Sequence, residues 1–309
     1  MGKYVVRRLL QMIPVIIGAT FILFVLVYAL PGEPWQSSCG DKACSPAFIA
    51  KFIADHDLDK PLVIRYLLYL GKLLHGNLGS TMHNTTVLGD LATRYPVTLK
   101  LALIAVAFEI VIGILAGVVA GINKGRFIDS LVTVASLVII SIPIFVIGGL
   151  AQWTVLGLKL NNVIPVTASQ GTWKQLILPG LVLGSLSVAY AARLTRTNLV
   201  ENLRADYVRT AKAKGLRPGR TIALHTLRNS LIPVVTYIGF DFGSLMGGAI
   251  VTERLFNVPG VGFYVYTGIL KSDANAVVGT VTVLVLVYLL ANLLVDLLYG
   301  VLDPRISHE

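Results

Sequence analysis

Charge is what this sequence has least of. Of its 309 residues only 14% are Asp, Glu, Lys or Arg, against 55% apolar, where a soluble domain carries about a quarter charged. That excludes a water-soluble surface for a chain of this size. The two cysteines exclude a scaffold built on disulfides. No GxxxxGKS or GxxxxGKT segment occurs, which removes nucleotide hydrolysis by a glycine-rich phosphate loop. The five histidines (His56, His75, His83, His225 and His308) are scattered over connections and ends, none at metal-ligand spacing. Neither a metal site nor a catalytic constellation is expected, so the chain reads as a non-enzyme. The net charge of +10 is not a nucleic-acid footprint. Its basic residues flank apolar runs, where topology selection and an anionic membrane surface account for them.

What is present is long apolar segments. Leu9–Leu30, Leu101–Ile122, Leu131–Leu158, Leu176–Ala192, Leu231–Thr252 and Ala276–Val301 stand out. At 1.5 Å rise per residue, most reach across a hydrocarbon core of about 30 Å. The expected fold is an all-α membrane protein, a polytopic bundle of six transmembrane helices. The first run is too long for a signal-peptide core and no small-residue cleavage site ends it, so a retained span is expected. Pro14, Pro143, Pro179 and Pro233 lie in or near span starts, where neighbouring helices can satisfy freed carbonyls.

Orientation follows from the connections. Lys3, Arg7 and Arg8 precede the first span, Lys124 and Arg126 follow the second, and eight Lys or Arg fall in 195–228. The connections 159–175 and 253–275 hold two basic residues each, and 31–97 balances six basic with six acidic ones. The positive-inside pattern puts both termini in the cytoplasm. The chain divides into 1–96, the first span with a large outer connection; 97–301, a five-helix core with a basic loop at 194–228; and a tail at 302–309.

In the outer connection, apolar residues at 62, 63, 66, 67, 70, 73 and 74 form a helical stripe. It predicts an amphipathic helix over 61–74, on the membrane face or packed on the bundle. Cys39 and Cys44 lie in the same connection, with four residues between them. A disulfide that staples the loop and a pair of free thiols are both open. Glycines concentrate in spans, as in GILAGVVAG and GSLMGGA, where small residues let helices approach closely.

Three acids, Glu109, Asp241 and Asp296, fall inside apolar spans, where an unpaired charge is costly. Glu109 and Asp241 are candidates for a water-filled translocation path or for structural pairs, and a stand-alone proton-coupled carrier would use them. Asp296, near the cytoplasmic end, is expected in a salt bridge.

The basic segment Thr195–Arg228 holds a short helix candidate, Asp206–Leu216. Asp206 is a natural N-cap, Gly215 a natural stop, and Pro218 follows. Tyr207, Val208 and Ala211 make a small apolar face, with Arg209, Lys212 and Lys214 around it. Such a helix is too short to stand alone. Either the segment only fixes orientation, or it is the handle of a soluble partner.

DYVRTAKAKGL followed by HTLRNSLIPVV resembles the cytoplasmic signature loop of ATP-binding-cassette importer permeases. Thr210 and Ala211 match its small pair, Gly215 its glycine, and Ile232 and Pro233 its downstream pair. Arg209 stands where a glutamate is usual. RRLLQMIPVIIGATFILF, LPGEP, LDKPLVIRYL, HGNLGS, RNSLIPVVTYIGFDFGSLMGGAIVTERLFNVPGVG and LLVDLLYGVLDPRI extend the likeness over nearly the whole chain. Together they resemble the B-type permease subunit of dipeptide or oligopeptide importers, in the peptide/nickel permease family.

The resemblance implies a type I importer-like fold in the bacterial inner membrane. It implies a heterodimer with a C-type permease, two ATP-binding subunits that carry the ATP and magnesium, and an extracytoplasmic binding protein. No cofactor is implied on this chain. Asp206–Leu216 would be the coupling helix, with Tyr207, Val208, Ala211 and Leu216 giving apolar contact to the ATPase and Arg209, Lys212 and Lys214 steering it. NVPGVG would form a gate or scoop loop. Relatives carry dipeptides, longer peptides, nickel chelates, glutathione or haem, so the cargo stays open.

Overall fold

The computed structural model describes residues 2–28, 44–55, 57–81, 85–247 and 249–302. Among these no β-strand occurs; the chain is a succession of helices. Helix α1 spans Gly2–Tyr28, α2 Pro46–Asp55 and α3 Leu62–Leu74, the last on the predicted amphipathic stripe. Helix α4 runs over Val87–Ile122, with a π-helical turn at Glu109–Gly113. It passes without a break through the domain boundary expected at 96/97. Pro96 is tolerated inside it.

The third apolar segment is not one straight span. Helix α5, Phe127–Ser141, and helix α6, Ile144–Gly157, meet at an angle of 105°. The cause is local: Pro143 has no N–H to donate, and its ring pushes Ile142 into the extended region (φ −91, ψ 127). Helix α7, Trp173–Asn202, is 30 residues long and continues the shortest predicted span well into the basic segment. Helix α8, Asp206–Ala213, is the short helix of that segment. A π-helical turn at Thr221–Thr226 leads into α9, Leu227–Met246. The predicted fifth span ends there, because Ile250–Leu255 forms a separate helix, α10. Helices α11, Val261–Leu270, and α12, Ala274–Leu302, complete the chain.

Helices α1, α4, α7 and α12 are long and apolar enough to cross a membrane, and the bent pair α5/α6 is a fifth candidate. Helix α9 has 20 residues, with Arg228 and Asn229 at its start and Asp241 within it, which lowers its hydropathy.

Helix α7 is the hub, packed by α4, α5, α6 and α9. The main core joins Leu101 and Ala105 of α4 to Leu176, Val182 and Leu183 of α7, and to Phe256 after α10. Glycine sets the α4–α7 spacing. A Cβ on Gly117 would lie 2.5 Å from the Ala192 carbonyl oxygen, and one on Gly184 2.7 Å from that of Ala105. Backbones meet there directly, as small residues permit between membrane helices. Gly184→Leu is therefore expected to destabilise the helix pair by roughly 3 kcal/mol, read as a lower melting temperature in detergent. Gly149→Ala, where nothing lies within 4 Å, is expected to melt as the parent does.

Candidate functional site

Helix α8 forms where the sequence placed it, but its ends differ from expectation. Ala205, in the extended region, occupies the cap position, and Asp206 is the first helical residue, with no side-chain cap bond. The Asp206 carboxylate meets Arg209 at 3.4 Å on the open surface instead. The stop is as drawn from the sequence. Gly215 sits at φ +78, its N–H bonds the Lys212 carbonyl at 2.9 Å, and the Leu216 N–H bonds that of Ala211 at 3.2 Å. This paired closure needs a left-handed residue, which glycine supplies without strain.

The two faces of α8 are assigned differently from the resemblance. Val208 and Ala211 are buried, on a helix that packs against the turn Thr221–Thr226 of its own chain. Both side chains are packed inside this chain. Tyr207, Arg209, Thr210, Lys212 and Lys214 face out, and Leu216 is half-buried. The Tyr207 hydroxyl donates to Asn202 Oδ1 at 2.8 Å, and the Ser230 hydroxyl lies 3.4 Å from the Asn198 carbonyl. The end of α7, α8, the π-helical turn and the start of α9 are thus tied together. The outer face they present is basic.

A second clamp lies beside this knot. Arg196 Nε and Nη2 donate to the two carboxylate oxygens of Asp129 at 2.7 and 2.8 Å. The Gly125 N–H adds a third bond, 2.9 Å to Asp129 Oδ2. A bidentate guanidinium–carboxylate pair is the strong form of such a contact. It fixes the α4–α5 turn to the lower part of α7. The sequence counted Arg196 only as a topology charge and passed over Asp129. Its signal was an acid in the first turn after a basic connection.

At the other end of the bundle, α10 and α11 are fastened to α4. Glu253 is fully buried. Its Oε1 accepts from the Thr98 hydroxyl at 2.7 Å, and its Oε2 from the Phe263 N–H at 2.8 Å. Thr98 in turn accepts from the Val261 N–H at 2.9 Å. One carboxylate therefore satisfies the opening turn of α11 directly and, through Thr98, reaches it again. The Tyr264 hydroxyl donates to Asp90 Oδ2 at 2.8 Å, and the Arg94 guanidinium lies 4.6 Å over the Tyr264 ring. NVPGVG was the legible part of this arrangement. Glu253, Thr98, Asp90 and Arg94 were not, because their partners lie far away in sequence.

The membrane acids resolve into separate roles. Glu109, in the π-helical turn, is fully buried, and neither of its carboxylate oxygens has a hydrogen-bond partner among the described residues. Asp241 is half-buried. Asp296 pairs with Arg8 at 3.1 Å, the bridge expected of it. Cys44 is disulfide-bonded; Cys39 lies outside the described residues. No group of metal-binding side chains occurs among the described residues.

Comparison with known proteins bears on the same segments. A family described as the binding-protein-dependent transport system inner membrane component matches residues 109–308, and its N-terminal companion matches residues 1–102. The di/tripeptide transport system permease protein DppB of Pseudomonas aeruginosa is 37% identical, with 100% of both chains covered. The dipeptide transport system permease protein DppB of Escherichia coli K12 is 35% identical over the full length of both. The glutathione transport system permease protein GsiC of Pectobacterium atrosepticum is also 35% identical at full coverage.

Proposed function

The chain belongs to the family of binding-protein-dependent transport system inner membrane components, and from that premise we propose that it is the B-type permease of an ATP-driven peptide importer. It forms half of the translocation path, and a C-type permease forms the other half. Two cytoplasmic subunits bind ATP and magnesium and hydrolyse the nucleotide; this chain holds no cofactor. An extracytoplasmic binding protein delivers the cargo. The membrane is the bacterial inner one, with both termini in the cytoplasm. Peptides are preferred over nickel chelates or haem because the relatives described above are named for dipeptide or di/tripeptide transport. The glutathione permease among the relatives fits a path that admits short peptides generally.

The observation that carries the proposal is the mounting of α8. A short basic helix is packed by its Val208 and Ala211 face against the π-helical turn that leads into α9, and Tyr207 bonds it to Asn202 at the end of α7. Force applied to that outer face reaches α7 and α9 without first bending a loop. Tyr207, Arg209, Thr210, Lys212 and Lys214 contact the ATPase; Asp206, Val208, Ala211, Gly215 and Leu216 shape the helix and seat it. The basic side chains complement an acidic surface and speed assembly. Glu109 and Asp241 belong to the α4–α9 junction, so a proton-coupled carrier has no exposed Glu109 to work through.

Charge reversal tests the outer face without disturbing its mounting. The double variant Lys212→Glu, Lys214→Glu is expected to lower both ATPase co-purification and ATP-driven dipeptide uptake by about tenfold or more. The loss is expected to grow less steep at high salt, as screening removes the repulsion. Uptake at the parental rate, or transport by this chain alone on a pH gradient, would remove the coupling assignment.

A further inference from the structure

A polar cavity of about 300 Å³ lies between the end of α1, helix α3 and the start of α12. Its chemistry is specific. The Arg65 guanidinium lies 4.5 Å over the Tyr28 ring and 5.8 Å from the centre of the Phe24 ring. Its Nε is buried, and no acceptor reaches it among the described residues. Lys72 contributes a second cation to the wall. Asp57, the carboxylate among the described residues that line it, is engaged by Lys60 at 2.6 Å and by Lys72 at 3.5 Å. Among the residues that line the cavity, Arg65 and Lys72 against Asp57 leave one positive charge in excess.

The frame around these cations is braced. The Tyr28 hydroxyl donates to Asn275 Oδ1 at 2.9 Å, and Asn275 Nδ2 donates to the Ser80 carbonyl at 3.0 Å. These bonds tie α1 to α12 and to the connection before α4. A guanidinium held over an aromatic face, with a buried donor lacking its acceptor among the described residues, is prepared for a tetrahedral or planar oxyanion. The surroundings select among oxyanions. Val63, Ile64 and Leu67 on α3, and Ile22 and Leu26 on α1, are exposed apolar side chains. Such surfaces sit where acyl chains begin.

We propose that this cavity is a binding site for the phosphate of an anionic membrane phospholipid, held by Arg65 and Lys72. The site rests on the membrane-spanning reading above, and its orientation there places it in the outer leaflet. It would tie the otherwise peripheral α1 and α3 to the bundle through a lipid shared between them. Basic pockets between membrane helices recognise anionic headgroups by this chemistry.

The test uses the assembled transporter, delipidated in detergent and titrated with phosphatidylglycerol, with lipid retention read by native mass spectrometry. Diacylglycerol serves as the phosphate-free comparison and inorganic phosphate as the soluble one. The parent is expected to retain phosphatidylglycerol and release diacylglycerol. Arg65→Gln is expected to lower retention about fivefold or more, and Lys72→Gln, at an exposed position, to lower it in the same direction. Arg65→Lys keeps the charge but loses the planar, bidentate donor fork, and should fall between parent and Gln variant. Equal retention in the parent and in both Gln variants overturns the site. So does displacement of phosphatidylglycerol by inorganic phosphate, which makes a soluble anion the ligand. Dipeptide uptake measured on the same preparations separates this failure from failure of the permease reading.

Discussion

Val208→Asp is expected to cut ATP-driven uptake by roughly a hundredfold. Val208 is fully buried where α8 meets its own chain, and a carboxylate placed there has no partner. Leaving a charge buried and unpaired costs about 3–5 kcal/mol, enough to expel the helix from its seat. Eight residues cannot hold a helix in water unaided. The outer face would then lose its shape together with its mounting, and the ATPases would turn over without moving the spans. Reconstituted vesicles holding all subunits provide the measurement, with Val208→Ala as the graded comparison. That variant removes packing but adds no charge, and should keep a measurable fraction of uptake. Parental uptake by Val208→Asp would place the coupling contact elsewhere.

Glu253→Ala should have the second largest effect, at the opposite end of the bundle. Truncation leaves the Thr98 hydroxyl and the Phe263 N–H without their acceptor in a buried site. Each orphaned group costs about 1–3 kcal/mol, and the space left by the side chain adds to that. Helices α10 and α11 should then part from α4. The expected readouts are a melting temperature lower by several degrees and faster proteolysis between Phe256 and Gly260. Dipeptide uptake should fall about tenfold. Glu253→Gln should lie between, because its amide oxygen accepts from one of the two donors while its NH2 opposes the other. An alanine variant that melts and transports as the parent does would show that the clamp is idle.

Much of the fold was readable because membrane helices write themselves as runs of apolar residues. The described part of Leu9–Leu30, and Leu101–Ile122 and Ala276–Val301, each fall on a long helix, and residues 62–74 of the stripe on α3. The failures have physical causes. Apolarity alone does not see that Pro143 turns one segment into two helices at 105°. It also stops α7 at Ala192, because a helix can continue into water once its neighbours hold it. Residues 193–202 are helical because Arg196 is fixed by Asp129 and Leu199 is buried. Short-range signals such as Gly215 were legible. Which face of α8 points inward was not, since Val208 and Ala211 are a weak stripe whose partner lies ten or more residues downstream. The Glu253 network joins residues some 155 apart, and no local pattern announces it.

The length of α7 has a mechanical meaning. Thirty residues at 1.5 Å each make a rod of about 45 Å, roughly half as long again as the hydrocarbon it crosses. The surplus projects on the side where Arg196 and Asn202 sit, and it carries α8 at its tip. A stiff rod pivoting within the bundle magnifies rotation at its far end. A tilt of about 10° about Gly184, roughly 27 Å from the Asn202 end, would carry that tip through about 5 Å. If the tip is moved as proposed above, a displacement of ångströms there would become a small rotation around Gly117 and Gly184, where the backbones of α4 and α7 touch. Close packing at a fulcrum and length in the arm are complementary needs, and this one helix supplies both.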